Sequence, residues 1–397
     1  MSGGRDGKRI LLLNHNNRGV GTYYRCWHLA RHLAKSGFHV SLLTVSPTRR
    51  VRPRSGQDEG VQVTETPNLL TVMYALGSGY GAVGIPYRIL YSLRHRFDVV
   101  HSFDHKPNVL LPAIFRKKLK DTPLVADWSD WLGFTGDGSG LQESRMRPIV
   151  RLETAMEEFI HREANWVTTI STGLMARSLS LGIPPDRVTW IPSGAPSDVI
   201  YPLDKDSCKE RLGISPATFL LTHLGMGEER SLSMVLPALS AVRRKRPEVS
   251  LGVIGPLREP GALDRPGLKE NLVFFGWIPF DQLPVYLGAS DAFVLPLPDT
   301  VVNRTRWPNK FGDYIAAGRP VLCSDVGDVA TIVRDEECGL VWKDDSELSD
   351  GIERLVDEPN LRSRMGERAR RLSEGRLSWA QIASQFAGIY SRIEAQN

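Results

Sequence analysis

The chain has 397 residues, 41% apolar and 24% charged, with a net charge of +5. This is an ordinary globular composition, too long for one compact core, so two domains of roughly 100–200 residues are expected. No apolar run reaches the ~18 residues of a membrane span, and the run at residues 10–13 is too short for a signal-peptide core. The four cysteines (Cys26, Cys208, Cys323, Cys338) are scattered without metal-ligand spacing, which fits reduced thiols in a cytoplasmic protein. Charge is uneven: residues 1–197 carry a net +9 and the remainder a net −4. The basic half, with clusters at residues 49–54 and 116–120, suits an anionic partner such as the inner membrane face, approached peripherally, or else two solvated loops. No zinc-finger, helix-turn-helix or RNA-recognition pattern accompanies it, so nucleic acid is not expected.

In chain order, residues 8–14 read as an apolar strand. The loop Asn17-Arg18-Gly19-Val20-Gly21-Thr22 leads into a helix over 23–36, and residues 38–44 form the next strand, completing a βαβ unit. Gly19 and Gly21 let backbone N–H groups approach a phosphate or substrate closely. Tyr24 breaks the GxGxxG fingerprint and no acid ends the second strand, which argues against a dehydrogenase. Residues 74–96 mix four tyrosines with aliphatic side chains and end in Arg94-His95-Arg96. That pattern fits a core-packing helix, or one resting on a bilayer beside a lipid-linked acceptor.

Strands follow at 97–102, 124–127, 166–170 and 188–191. Asp104 at the end of the first is a candidate acceptor contact. Two readings fit His101: a reactive imidazole at the strand end, or a histidine hydrogen-bonded within the core. Asp127-Trp128-Ser129-Asp130-Trp131 offers indole faces beside carboxylates, which suits either a sugar ring or a packed turn. Pro192, Pro196 and Pro202 mark a linker over 192–206, and Asp204-Lys205-Asp206 within it spells a metal-type Asp-x-Asp by chance. Strands then resume at 218–224, 249–254, 271–275, 292–296 and 321–323, with a last helix over 378–394.

The most specific string is Trp307-Pro308-Asn309-Lys310-Phe311-Gly312-Asp313-Tyr314-Ile315-Ala316-Ala317-Gly318-Arg319-Pro320-Val321. Asn309 reads as an N-cap and Gly318 as the residue that ends the helix. The first turn, Asn309 to Gly312, then offers N–H groups to a phosphate. Lys310 and Asp313, three residues apart, share one face, where one meets phosphate and the other accepts from sugar hydroxyls. An ordinary surface ion pair has the same spacing.

That string resembles the nucleotide-binding signature Pro-x-Lys-x-x-Glu-Tyr-x-Ala-x-Gly-x-Pro-Val of the group 1, or family 4, glycosyltransferases. Asp98-Val99-Val100-His101-Ser102-Phe103-Asp104 is similar to the family's Asp-x-x-His-x-His-acid, with Phe103 replacing the second histidine and His101 or His105 as possible substitutes. Ala164 to Ser171 and Gly182 to Gly194 resemble the end of its first domain. Leu224-Gly225-Met226-Gly227-Glu228-Glu229-Arg230 stands where the family has an arginine and a lysine on the diphosphate: Met226 replaces the arginine, and Arg230 lies near the lysine's place. Asp313 stands for the second family glutamate and Thr305 for the first.

The resemblance implies the α/β GT-B fold: two Rossmann-like, doubly wound parallel-sheet domains facing each other across a cleft. Residues 1–197 would bind the acceptor and 198–377 the nucleotide sugar, with 378–397 a helix crossing back. It implies a retaining, hexosyltransferase-like enzyme that moves a sugar from a nucleoside diphosphate sugar to a hydroxyl of a glycolipid, polysaccharide or natural product. No cofactor and no metal are implied. Donor contacts fall on Gly19, Gly21, Arg230, Asn309, Lys310, Phe311, Gly312 and Asp313, acceptor contacts on Asp127 and Asp130, and catalysis on His101 and Asp104. The alternatives are a catalytically retired scaffold, to which Phe103, Met226 and Thr305 point, and a nucleotide-sugar epimerase.

Overall fold

The computed structural model describes residues 7–48, 50–69, 79–131, 147–225, 229–256 and 272–395. They fall into two compact units. One holds Met1–Ser193, Thr305–Trp307 and Trp379–Asn397; the other holds Gly194–Arg304 and Pro308–Ser378. The division lies four residues before the expected 197/198 boundary, and Thr305–Trp307 count with the first unit. Hydrogen bonds explain both shifts: Arg25 Nη1 donates to Ser193 Oγ at 3.3 Å, and Ser171 Oγ donates to Thr305 O at 2.5 Å.

The first unit is built on β1 (Arg9–Asn17), β2 (His39–Val45), β3 (Arg54–Asp58), β4 (Val61–Thr66), β5 (Val99–Phe103), β6 (Leu124–Trp128), β7 (Trp166–Thr169) and β8 (Val188–Trp190). They lie in the order β3-β4-β2-β1-β5-β6-β7-β8, all parallel except the β3–β4 hairpin. No apolar pattern marks that hairpin, because Arg54-Ser55-Gly56-Gln57-Asp58 is polar and forms an exposed edge. Its turn places Glu59 (φ 43°) and Gly60 (φ 81°) in the left-handed region, as a two-residue hairpin loop demands.

Central strands here are buried on both faces, as parallel sheets require. Ile10 and Leu12 join one core with the helices Tyr23–Lys35 and Trp379–Ala395, while Leu11 and Leu13 join the other beneath the helix Pro107–Lys120. Each of these four side chains has no exposed surface, contributing about 1.5–3 kcal/mol apiece.

The second unit holds β9 (Phe219–Leu224), β10 (Val249–Ile254), β11 (Leu272–Gly276), β12 (Ala292–Leu295), β13 (Val321–Ser324) and β14 (Gly339–Trp342), in the fully parallel order β11-β10-β9-β12-β13-β14. Both sheets start in the middle and wind outward both ways. The winding direction changes between β1 and β5 in one unit and between β9 and β12 in the other. Ligands of such sheets bind outside the carboxyl ends of the strands at these positions. Among the described residues no helix is long and apolar enough to cross a membrane.

Candidate functional site

In the second unit the signature string forms the helix Lys310–Ala316, entered from the carboxyl side of β12 and leading into β13. Gly318 has φ 68° and a Cβ there would meet Pro202 Cγ at 2.8 Å, so the helix ends on glycine for conformational and steric reasons alike. Tyr314 stacks on Phe293 at 4.2 Å, and its hydroxyl accepts from the N–H of Leu224 at 2.7 Å. The helix is thereby tied to the carboxyl end of β9.

The start of this helix departs from the expected anion cradle. Asn309 is itself helical and makes no side-chain cap bond. The N–H groups of Phe311 and Gly312 donate to Pro308 O at 3.0 Å and Asn309 O at 2.9 Å, because the turn begins a residue early. Phe311 is fully buried, and a Cβ on Gly312 would come within 2.9 Å of Gly194 O. These two residues fit the helix to its surroundings; they do not present free donors. Lys310 and Asp313 remain on one face. Burial pushes the Asp313 carboxyl up to about 7, and the Lys310 charge opposes that rise. The backbone of Arg230 opens the short helix Glu229–Ser233 beyond β9; its side chain, and Met226, lie outside the described residues. Arg304 is paired with Asp299 on the surface. Asp204 of the Asp-x-Asp string caps the helix Lys205–Arg211, accepting from the Ser207 N–H at 2.9 Å.

In the first unit, β1 and β5 deliver His15 and Asp104 to the point where the winding direction changes. His15 Nδ1 stands 3.3 Å from Asp104 Oδ2. Both atoms are buried and neither has a hydrogen-bond partner. Asp104 holds φ 64°, an uncommon backbone for a residue with a side chain, and its other oxygen accepts from the Ser129 N–H at 3.3 Å. Burial and the Asp104 charge raise the nearby Asp130 carboxyl to about 7, against the pull of Arg306. Arg306 Nε is also buried without a partner. Gly19 (φ 80°) and Gly21 (φ 57°) form an exposed turn after β1, and a Cβ on Gly21 would meet Asn16 Nδ2 at 2.6 Å.

Several expected contacts are structural instead. His101 is fully buried within β5, stacked on Phe103 at 4.5 Å, with Nδ1 2.7 Å from Tyr390 Oη. Burial lowers it to about 3, which keeps it neutral, so the core reading holds and the catalytic one is corrected. His105 is likewise buried, with Nε2 2.5 Å from Glu153 Oε2. Asp127 is not an acceptor contact: both its oxygens are committed, to Arg25, Ser129 Oγ and Thr168 Oγ1. Trp128 is buried against His161 and donates to Glu157 Oε1 at 2.9 Å, so it is no sugar platform. Within the helix Gly84–Arg94, Tyr87 and Tyr91 are partly buried and only Leu90 is an exposed aliphatic, which favours core packing. Arg116 of the basic cluster is buried on the carbonyls of Ser92, His95 and Phe97.

His15 was missed because it sits in a polar run, Asn14-His15-Asn16-Asn17, that reads as a loop. Its signal is positional: it follows the first strand of the βαβ unit, directly before the glycine turn.

Residues 18–194 match the family described as glycosyl transferase 4-like domain, and residues 218–358 match glycosyl transferases group 1. The chain belongs to the group 1 glycosyltransferases. Among its relatives, the alpha-D-kanosaminyltransferase of Streptomyces kanamyceticus is 24% identical over 217 residues, covering 52% of this chain and 54% of that one. The chain thus spans about half the length of the first curated relatives it matches. A D-inositol 3-phosphate glycosyltransferase of Nocardioides sp. is 24% identical over 93% of this chain and 84% of its own. This group 1 fold is GT-B. Sucrose-phosphate synthase from Thermosynechococcus elongatus superposes with a TM-score of 0.73 at 18% identity, covering 98% of this chain and all of that one. Anabaena HepE, solved with UDP-glucose, gives 0.71 at 15% identity over 97% and 99%.

Proposed function

We propose that this group 1 protein transfers a sugar from a nucleoside diphosphate sugar to an acceptor hydroxyl, with retention and without a metal. The observation that carries the reading is the Lys310–Asp313 face, held by Tyr314 at the point where the second sheet reverses its winding. Solved relatives of the same fold support a sugar-nucleotide donor: HepE was solved with UDP-glucose, and starch synthase IV of Arabidopsis thaliana with ADP and acarbose.

In this reading Lys310 lies by the diphosphate, where negative charge builds as the anomeric C–O bond breaks. A fixed cation aimed there stabilises the transition state more than the ground state. Asp313 accepts from the ribose hydroxyls. In the first unit, Asp104 and His15 hold the acceptor hydroxyl through their unpartnered atoms. As the new C–O bond forms, the acceptor proton passes to the departing phosphate oxygen, so no separate protein base is needed where Phe103 replaces the family histidine.

A thermal-shift screen against UDP, GDP, ADP and their common sugars tests this. Stabilisation by one nucleoside diphosphate, weakened in Lys310→Ala, is the expected result. Well-folded protein that responds to none of them would overturn the reading. Proton NMR of the product then tests retention, and turnover in EDTA tests metal independence.

A further inference from the structure

We infer that the second unit carries an anion pocket, separate from the Lys310–Asp313 face, that takes a small soluble phosphate ester of sugar-phosphate size. The cavity measures about 580 Å³. Its walls come from the residues preceding β12 and β13, from the linker at Pro202 and Lys205, and from one face of the helix Pro359–Glu374. Asp291 and Arg319 stand just before their strands, so the pocket lies at the amino ends of the sheet. Lys310 and Asp313 lie at the carboxyl ends.

Five cations, Lys205, Arg319, Arg362, Arg370 and Arg371, line it against two carboxylates, Asp291 and Glu367. Asp291 is neutralised by Lys205 at 2.5 Å and by Lys209 at 2.7 Å. Arg319 and Arg370 hold backbone carbonyls: Ser290, Leu203 and Gly288 for the first, Ile200, Ala316 and Ser197 for the second. For Arg319 the acceptors are all neutral, so its guanidinium is fixed in place without its charge being cancelled. Arg370 also pairs with the Glu374 carboxylate at 2.7 Å, which offsets its charge and leaves Arg319, Arg362 and Arg371 as the cations the pocket offers. Burial pulls the Arg319 guanidinium below its usual value, and the Arg362 charge adds to that pull.

Arg362 lies over the Phe219 ring at 5.4 Å and uses one donor, Nη1, on Leu355 O at 2.6 Å, and Arg371 has no side-chain partner among the described residues. Preorganised cations with donors left over, in a concave site, are what a phosphate dianion needs. The volume leaves room for a hexose beside it.

Titration calorimetry with glucose 6-phosphate, at low salt and on the full chain, tests the pocket. Saturable binding is expected, weakened about tenfold or more by each of Arg362→Gln and Arg371→Gln. Lys310→Ala should leave it unchanged. Arg371 is exposed, so Arg371→Gln folds and decides the matter even if Arg362→Gln does not. No binding, or binding lost in Lys310→Ala and kept in Arg371→Gln, would overturn the inference. Phosphatidic acid vesicles that bind where glucose 6-phosphate does not would also overturn it, in favour of a lipid headgroup. Because the readout is binding, it is independent of the transferase reading.

Discussion

The Arg25 guanidinium meets the Asp127 carboxylate through two parallel bonds, Nε to Oδ1 at 2.9 Å and Nη2 to Oδ2 at 2.8 Å, with both side chains buried. The same guanidinium donates to Ile191 O at 2.8 Å, so it fastens the first helix to the carboxyl end of β6 and to the segment leaving β8. Burial alone would raise the Asp127 carboxyl, but the charge and hydrogen bonds of Arg25 outweigh it and hold it below the usual range.

Arg25→Ala therefore strands a buried carboxylate and should cost about 3–5 kcal/mol of stability in urea unfolding. Arg25→Lys should recover only part, since a point charge cannot reproduce both bonds. A depressed carboxylate stabilises the fold above its unfolded pKa and loses that contribution as pH falls through the folded one. The gap between wild type and Arg25→Ala should accordingly narrow in acid. A loss under about 1 kcal/mol at neutral pH would refute the strut.

Tyr390→Phe tests the burial of His101. It removes the partner of Nδ1, and Nε2 already has none, so the imidazole is left unsatisfied. A loss of about 1–3 kcal/mol with nucleotide binding unchanged is expected. If instead stability holds and turnover collapses, His101 has a chemical role.

Asp313 gives a pH signature. With its carboxyl near 7, ribose binding to the ionised form should weaken as pH drops from 8 to 6, while Asp313→Asn should bind weakly and flatly across that range. The raised carboxyl also means that the folded state binds the extra proton, so stability falls as pH climbs from about 4 through 7. Asp313→Asn should melt higher than wild type at pH 8. Parallel calorimetry and melting profiles check both signs.

Lys310→Ala should weaken a nucleoside diphosphate by about tenfold or more and leave the free nucleoside nearly unaffected. Equal losses for the two ligands would remove Lys310 from the phosphate role.

His15→Ala and Asp104→Asn should each lower acceptor kcat/KM by about tenfold or more while the donor dissociation constant stays put. A matching loss of donor affinity would move both residues out of the acceptor site.

Much of this was already legible in the residues. Alternating apolar strands and helices marked two parallel sheets, and the short apolar run Ile10-Leu11-Leu12-Leu13, ended at once by polar residues, fits a strand covered on both faces, as it proves to be. The string from Trp307 to Val321 resembles the family's signature, and within it the backbone requires glycine at 318. The β3–β4 hairpin escaped notice because a polar edge strand has no periodic apolar face to reveal it.

What the sequence determined by itself was therefore local: strand and helix type, the glycine turns and the Lys310–Asp313 spacing, all set by neighbours along the chain. Tertiary structure alone decided which polar residues are partnered. Asp127 and Asp104 both end a strand and look alike in sequence, yet Arg25, 102 positions from Asp127, satisfies the first, while His15 leaves the second with an unpartnered oxygen. Charge satisfaction depends on side chains brought together by packing across the sheet, and no local pattern carries that information.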